Sequence, residues 1–335
     1  MPTHPAAGPS DTPPLLRCTA ALCLLMLCSL DVYASTLNVT LVPSRDDGAY
    51  QRVLGAIVSR IGEQPAADIS LKIVNLDELR KNSREIDQAA DLFIPIGIRA
   101  TEHILRQSVN SPVLAVLVLR SSFNATLKRS TEKTPAVTPS GTRRISAILL
   151  DQPVNRQLHL TRLLFGTVKR IGIPLGPDSQ PLRAEIADLA QRLELSIEIE
   201  NIDSADRLMQ QLTQLMERSD VLLAFPDPLI FNRRNVRYIL LSSYRKRIPV
   251  IGYSQSYVKA GALAATYSSP EQIGKQAAEA IIELQRNPSL RFPAIMAPTY
   301  FSVAINDQVA RAFGYMNLSA EDLAQQIRQL ERNLQ

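Results

Sequence analysis

The run Asp220-Val221-Leu222-Leu223-Ala224-Phe225 decides the fold that this sequence predicts. A short, continuous apolar run of this kind is typical of a strand that is buried on both faces of a parallel sheet. Pro226–Pro228 ends the run, and Asp227 is placed to cap a helix in which Pro228 is the first residue. Apolar residues then recur at helical spacing as far as the basic end at Arg245–Arg247. This order predicts an α/β unit.

The residues after this unit repeat the pattern. Ile248–Gly252 is predicted to be a second buried strand, Val258–Ser268 a third, and a helix follows from Ser269 or Pro270. Polar residues gather where these strands end. In open parallel sheets ligands bind at that edge, so the pattern predicts a binding site there.

The preceding part of the chain shows the same alternation. Four apolar strands separated by helical patterns are predicted over Thr36–Pro43, Ser70–Leu76, Asp91–Gly97 and Val113–Leu119, and this β-α-β order predicts a parallel sheet. Residues 120–142 lose the pattern and are predicted to form an exposed crossing or loop. The sequence therefore predicts two lobes. The first lobe comprises residues 36–142 and about 253–292, and the second comprises residues 143–252 and about 293–318. Residues 319–335 are predicted to form a C-terminal helical tail.

The N-terminal segment has the pattern of a secretory signal. Arg17 precedes the apolar run Cys18–Leu30, and Val32–Ala34 offers small or medium residues to a signal peptidase. We predict cleavage after Ala34 and a periplasmic location. An uncleaved anchor is the alternative, although the run is shorter than the roughly 20 residues of a spanning helix. Lipidation at Cys28 is a second alternative, but Leu27 stands where a small residue is expected.

The composition excludes several kinds of site. The three cysteines, Cys18, Cys23 and Cys28, all lie in the signal, so a cleaved chain would have no disulfide or thiolate site. The formal net charge is +5 and its clusters have no interleaved aromatic residues, which argues against nucleic-acid binding but leaves anionic lipid headgroups or an acidic partner open. His103 and His159 have no partners at metal-ligand spacing. The sequence shows no catalytic motif, so we predict a binding protein that is not an enzyme and has no cofactor or metal.

Several segments in the second half resemble the substrate-binding proteins of ABC transporters. These are Ile248–Gly252, Val258–Ala264, Ile273–Ala278 and Ala304–Gly314, and the resemblance is to the branch that includes tryptophan- and aromatic-amino-acid-type binding proteins. It implies a fold of two doubly wound parallel-sheet lobes joined by hinge crossings, the type I periplasmic binding fold. It also implies a small-molecule ligand, an ABC permease as partner and a monomeric protein.

A binding protein needs polar groups that converge from the strand ends of two lobes, with aromatic side chains to enclose an apolar part. The residues placed at strand ends are Ser44, Arg45, Asp46, Gly97, Arg99, Asp151, Gln152, Asp227, Tyr253, Ser254, Gln255, Tyr267 and Ser268. The resemblance implies that an acid reads the ligand's amino group and that hydroxyls and backbone N–H groups read its carboxylate. Alternatives remain open for four of these residues. Asp227 could act only as a helix cap, Arg45 could lie in a solvated loop, and Tyr253 and Tyr267 could pack beneath the hinge.

The chain also departs from the family pattern at two segments that line the cleft in relatives. Leu119–Phe123 stands where an Asp-Pro turn is usual, and Arg144–Ala147 replaces an Asn-Val-Thr-Gly turn. These departures bear on ligand specificity. We therefore expect an extracytoplasmic solute-binding protein that delivers an amino-acid-like molecule to a permease. A related protein that senses its ligand and docks on a membrane receptor or sensor kinase is the alternative.

Overall fold

Two six-stranded sheets organise the structure, a computed structural model that describes residues 36–64, 67–81, 90–107, 111–133, 137–138, 141–142, 144–166 and 169–332. The predicted signal segment lies outside these residues. In sheet order, the first sheet consists of β13 (Ile295–Met296), β7 (Ile145–Leu149), β4 (Val113–Val118), β3 (Leu92–Ile96), β1 (Leu37–Pro43) and β2 (Ile69–Ile73). The second consists of β14 (Ser302–Ile305), β12 (Ala264–Tyr267), β11 (Val250–Gly252), β10 (Val221–Leu223), β8 (Arg170–Leu175) and β9 (Ser196–Asn201). A two-stranded ribbon pairs β5 (Val137–Thr138) with β6 (Gly141–Thr142).

Helices cover the sheets and connect the strands. Those of the first half are α1 (Gly48–Gly62), α2 (Leu76–Lys81), α3 (Ile98–Arg106), α4 (Arg120–Lys133) and α5 (Val154–Phe165). Those of the second half are α6 (Arg183–Arg192), which follows a 3-10 turn at Gln180–Leu182, α7 (Leu208–Glu217), α8 (Arg233–Arg245), α9 (Gln255–Ala260), α10 (Pro270–Arg286), α11 (Asp307–Ala312) and α12 (Ala320–Arg332).

The central strands of each sheet are buried on both faces, which explains the continuous apolar runs in the sequence. All five residues of β3 are buried, and β3 pairs in parallel with β1 and β4. The second sheet is also parallel except for its edge, where β14 runs antiparallel to β12. Separate apolar clusters lie on the two sides of each sheet. The predicted architecture of two doubly wound α/β lobes is confirmed.

The lobe boundaries need correction, because strand pairing places them later in the chain. Strand β7 pairs with β4 (Val113 opposite Ile145) and so belongs to the first sheet, which moves the first crossing from residue 142 to the segment after Leu149. Strands β11 and β12 both lie in the second sheet, so the second crossing is at Ser268–Ser269 and not near Tyr253. The third runs between β13 and β14. Helix α12 packs on the second lobe through Leu323, Ala324 and Ile327.

Two predicted local structures are also wrong. Residues 120–133, expected to form a loop, make helix α4, whose Phe123 is buried against β4 and β7. Tertiary burial of a few apolar residues outweighs the poor helix pattern of this polar segment. Val258–Ser268, expected to be one strand, is divided between α9 and β12 at Gly261, which has a φ of 126°.

A close helix crossing fixes α10 to the first lobe. An added Cβ at Gly274 would lie 2.6 Å from the carbonyl oxygen of Val53 and 2.7 Å from Cβ of Ala56, both on α1. Because backbone atoms cannot move away as a side chain can, only glycine fits at this crossing. The helix that follows the second crossing is thereby held on the first lobe.

Candidate ligand-binding site

At the strand ends of the first lobe, Ser44 and Gly97 are closely packed against neighbouring residues. The hydroxyl of Ser44 is buried and accepts a hydrogen bond from the N–H of Ala100 (2.9 Å) in the first turn of α3. Gly97 has a φ of 87°, and an added Cβ would lie 2.6 Å from the ring of Tyr50. A side chain at residue 97 would be both strained and obstructed. Tyr50, at the start of α1, was not among the predicted site residues.

Three predicted site residues of this lobe are exposed. Arg45 pairs with Asp47 (2.8 Å), and its guanidinium lies 5.9 Å from the centre of the Tyr50 ring. Asp46 accepts a hydrogen bond from Gln51. With Arg99, these residues line an open pocket of ≈ 830 Å³ beside α2, at the edge of the sheet. They lie in solvent-facing surroundings, where ion pairs contribute little to stability.

The carboxylate of Asp151 lies at the first crossing between the lobes. It is partly buried, and its Oδ2 accepts a hydrogen bond from the N–H of Arg120 (2.7 Å), the first residue of α4. Burial raises the pKa of Asp151 above its ordinary value, and the hydrogen bond from Arg120 opposes this shift. A partly desolvated acid of this kind is suited to pair with a cation that also loses its water.

Asp227 anchors two loops of the second lobe. Its carboxylate is 2% exposed, and Oδ2 accepts hydrogen bonds from the N–H groups of Asp178 (3.0 Å) and Ser179 (2.9 Å) and from the Ser179 hydroxyl (2.9 Å). Oδ1 accepts from the N–H of Leu229 (3.0 Å). The loop after β8 is thereby tied to the loop after β10.

The predicted helix cap at Asp227 needs correction. A turn occupies residues 228–230, and α8 begins at Arg233. Asn232 is the residue that caps α8, and its side chain accepts hydrogen bonds from the N–H groups of Arg234 and Asn235.

Three aromatic side chains gather beside Asp227. The ring of Tyr253 lies 5.9 Å from that of Phe231 and 5.2 Å from that of Tyr257. Phe231 and Tyr257 also meet edge to face at 5.8 Å. Such geometry stabilises aromatic clusters beyond the area that they bury. The i, i+4 spacing of Tyr253 and Tyr257 is a signal that could have identified the second tyrosine from the sequence.

The pKa of Tyr253 responds to carboxylates that follow strands of both lobes. Burial, and then the negative charges of Asp151 and Asp227, raise the pKa of Tyr253 to about 12. Asp151 follows the last long strand of the first lobe, whereas Asp227 follows a central strand of the second. Tyr253 is therefore within electrostatic range of both carboxylates, although the three residues are far apart in the sequence.

The predicted site residues Gln152 and Ser268 lie in the hinge. Both are buried, and Nε2 of Gln152 donates to the Ser268 hydroxyl (3.0 Å), which donates to the carbonyl of Tyr300 (2.6 Å). Oε1 of Gln152 accepts from Arg156 (2.8 Å). One residue from each crossing takes part in this network, so it joins all three.

Of the remaining predicted residues, Ser254 and Gln255 lie at the start of α9 and Tyr267 ends β12. The hydroxyl of Ser254 caps α9 by accepting from the N–H of Tyr257 (3.2 Å). Gln255 and Tyr267 line a smaller open pocket of ≈ 360 Å³ near α11 and α12. The structure does not bring these two residues into the cluster around Tyr253.

No group of acidic, histidine or cysteine side chains among the described residues could hold a metal ion. His103 is hydrogen-bonded to Gln107 (2.6 Å), and His159 is buried on α5. No helix in the described part of the chain is long and apolar enough to cross a membrane.

Comparisons with known proteins agree with this architecture. Residues 62–290 match the family model described as ABC transporter substrate binding protein. A curated relative, a tyrosine-binding protein of Clostridioides difficile, is 22% identical over 244 residues, which are 72% of this chain and 68% of the relative.

Solved structures are similar at the level of the fold. A ligand-free, open substrate-binding protein with adhesive properties from Clostridium difficile has a TM-score of 0.62 at 15% identity, over 85% of this chain and 97% of that one. A Streptococcus pneumoniae ABC domain in complex with L-Trp has a TM-score of 0.51 at 15% identity, over 84% and 95% of the two chains. Because the family model spans more than half of the sequence, this chain belongs to the ABC transporter substrate-binding protein family.

Proposed function

We propose that the protein captures a small amino-acid-like solute between its two lobes and delivers it to an ABC permease. The proposal rests on Asp151, a partly buried carboxylate at the first crossing whose Oδ2 accepts one hydrogen bond, and on the aromatic cluster of Phe231, Tyr253 and Tyr257. The relative's printed name, tyrosine-binding protein, supports an amino acid as the ligand class.

In this mechanism Asp151 pairs with the ligand's ammonium group. Asp151 has one hydrogen bond to a backbone N–H, whereas the carboxylate of Asp227 already accepts four hydrogen bonds from its own chain. The cluster of Phe231, Tyr253 and Tyr257 offers an aromatic wall for an apolar side chain. A ligand that touches both lobes binds the closed form better and therefore shifts the population towards it.

Thermal unfolding in the presence of L-tyrosine, L-tryptophan and L-phenylalanine tests the proposal, with ribose as the negative control. We expect at least one of the amino acids to raise the melting temperature as its concentration rises, and to reduce the radius of gyration in solution scattering.

Asp151→Asn should weaken binding by about 10- to 100-fold, because a hydrogen bond to a charged group contributes about 1.5–3 kcal/mol. Affinity should also start to fall at a higher pH than for an ordinary aspartate, since the pKa of Asp151 is raised and its ionised form is the one that binds.

The matched control is Asp188→Asn, the same change at an exposed acid of α6 that pairs with Arg192. It should leave affinity unchanged. Binding of ribose but of none of the amino acids would contradict the ligand class. Equal affinity in the parent and in Asp151→Asn would remove Asp151 from the site.

We also propose that the chain is exported and that its first 34 residues are removed. The apolar run Cys18–Leu30, followed by Val32–Ala34, supports this. Intact-mass measurement of the protein from a bacterial periplasm should give an N-terminus at or near Ser35. A mass that includes residues 1–34 would contradict cleavage, and a diacylglyceryl addition at Cys28 would indicate a lipoprotein.

A further inference from the structure

The outward face of α8 presents arginines and large apolar side chains side by side. Ile239, Leu240 and Ser243 bury one side of this helix against the second lobe. The opposite side, which we call the α8 face, consists of Arg234, Arg237, Tyr238, Leu241, Tyr244 and Arg245, all of them exposed. Tyr238, Leu241 and Tyr244 are 58%, 45% and 55% exposed. Of the seven large hydrophobic side chains that are exposed among the described residues, three lie on this one face.

The surrounding sequence is basic without exception. From Pro228 to Pro270 the chain contains no aspartate or glutamate, and its charged residues are Arg233, Arg234, Arg237, Arg245, Lys246, Arg247 and Lys259. Lys246 pairs with Glu217 of α7 (3.1 Å). Arg234, Arg237 and Arg245 take part in none of the ion pairs formed within the described part of the chain. The positive charge of the α8 face is therefore available to an outside partner.

The arrangement of these residues distinguishes between two kinds of partner. Protein interfaces usually have a central apolar patch with a polar rim, and their charges are complementary. On the α8 face Arg234 and Arg237 precede the three apolar residues and Arg245 follows them, so every charge on the face has the same sign. A lipid surface matches this arrangement, because its anionic headgroups are uniform and Tyr is favoured at the boundary between headgroups and acyl chains.

We propose that the α8 face binds an anionic lipid surface, with α8 lying parallel to the membrane plane. Arg234, Arg237 and Arg245 contact headgroup phosphates, which arginine binds in a bidentate way. Tyr238 and Leu241 enter the boundary region between them. This contact would keep the solute-binding protein close to the membrane without a spanning helix.

Sedimentation with vesicles tests the proposal, using residues 36–335 so that the N-terminal apolar segment does not contribute. Leu37–Gln335 forms one compact unit with both sheets and their apolar cores, so this part is expected to fold without the preceding residues. We expect binding to phosphatidylcholine vesicles that contain phosphatidylglycerol and no binding to phosphatidylcholine alone. Added salt should weaken the binding.

Replacing Arg234, Arg237 and Arg245 together by Gln should lower the partition coefficient on the order of 100-fold. Tyr238→Ser with Leu241→Ser should lower it by about tenfold.

The control replaces Arg192, Arg207 and Arg218 by Gln, which removes the same net charge from exposed positions elsewhere on the second lobe. This variant should retain most of the binding. Equal losses in the two triple variants would show that only net charge matters and would overturn the proposal. A parent protein that stays in the supernatant with both kinds of vesicle would also overturn it, and would indicate a protein partner for the α8 face.

Discussion

Replacing Arg156 by leucine should lower the free energy of unfolding by about 3–5 kcal/mol, the usual cost of breaking a buried ion pair from one side. Arg156 is 5% exposed at the start of α5. Its guanidinium donates to both carboxylate oxygens of Glu331 (2.9 and 3.0 Å) on α12. It also donates to Oε1 of Gln152 (2.8 Å) and to the carbonyl of Pro298 (2.9 Å).

The large effect is expected because leucine removes the donors but leaves the acceptors in place. Gln152 and Pro298 belong to two of the three crossings between the lobes, and the Arg156 guanidinium also lies 4.0 Å from the centre of the Phe301 ring. Leucine keeps some of the packing and none of the hydrogen bonds. The loss should therefore appear both in overall stability and in faster hydrogen exchange of α12.

A double-mutant cycle with Glu331→Gln separates the ion pair from the other contacts of Arg156. We expect a coupling energy above about 1 kcal/mol in urea unfolding. The control cycle uses the exposed pair Arg207–Asp203, whose side chains are 60% and 68% exposed, and should give less than about 0.5 kcal/mol. Similar coupling energies in the two cycles would contradict the special role assigned to the buried pair.

Asp227→Ala should destabilise the protein by about 3–5 kcal/mol, because four hydrogen bonds to one buried carboxylate are lost together. The donors left without their acceptor are the N–H groups of Asp178, Ser179 and Leu229 and the hydroxyl of Ser179. Asp227→Asn should cost less, about 1–3 kcal/mol, since its amide oxygen can still accept three of the bonds while its NH₂ group faces the fourth donor. Urea unfolding with both variants measures the difference.

Gly176→Ala tests the same hydrogen bonds of Asp227 by a change in the loop after β8. An added Cβ at residue 176 would lie 2.5 Å from Oδ1 of Asp227, so the carboxylate would have to move. The matched control is Asp178→Asn, which keeps the backbone N–H that donates to Asp227 and should change stability by less than about 0.5 kcal/mol. If Asp227→Asn weakens ligand binding strongly at unchanged stability, Asp227 is a ligand contact and its anchoring role is secondary.

The sequence predicted the α/β class and most strand positions because these depend on local patterns. A strand buried on both faces has to be continuously apolar, and β3 and β10 are both recognisable for that reason. Amphipathic spacing likewise identified α8 and α10. Helix α4 was missed because it buries few apolar residues, so its periodicity is weak.

The candidate site was predictable only in part. The strand-end rule predicted Asp151, Asp227 and Tyr253, and the pKa of Tyr253 responds to the charges of both aspartates. Phe231 and Tyr257 lie a turn beyond the strand ends, and Tyr50 lies on α1, so the strand-end rule did not include them. The same rule selected Gln152 and Ser268, which the structure places in the hinge with hydrogen bonds to each other.

The sequence by itself determined that this chain alternates buried strands and amphipathic helices, because residue periodicity is a property of neighbouring residues. Only the tertiary structure decided which sheet each strand joins. An apolar strand such as β7 satisfies the core of either lobe equally well, and its pairing with β4 depends on long-range hydrogen bonds that leave no local pattern. The environment of each polar residue was decided in the same way. Gln152 and Asp151 are neighbours in the chain, yet Gln152 donates to Ser268 in the hinge, whereas Asp151 accepts a hydrogen bond from the N–H of Arg120.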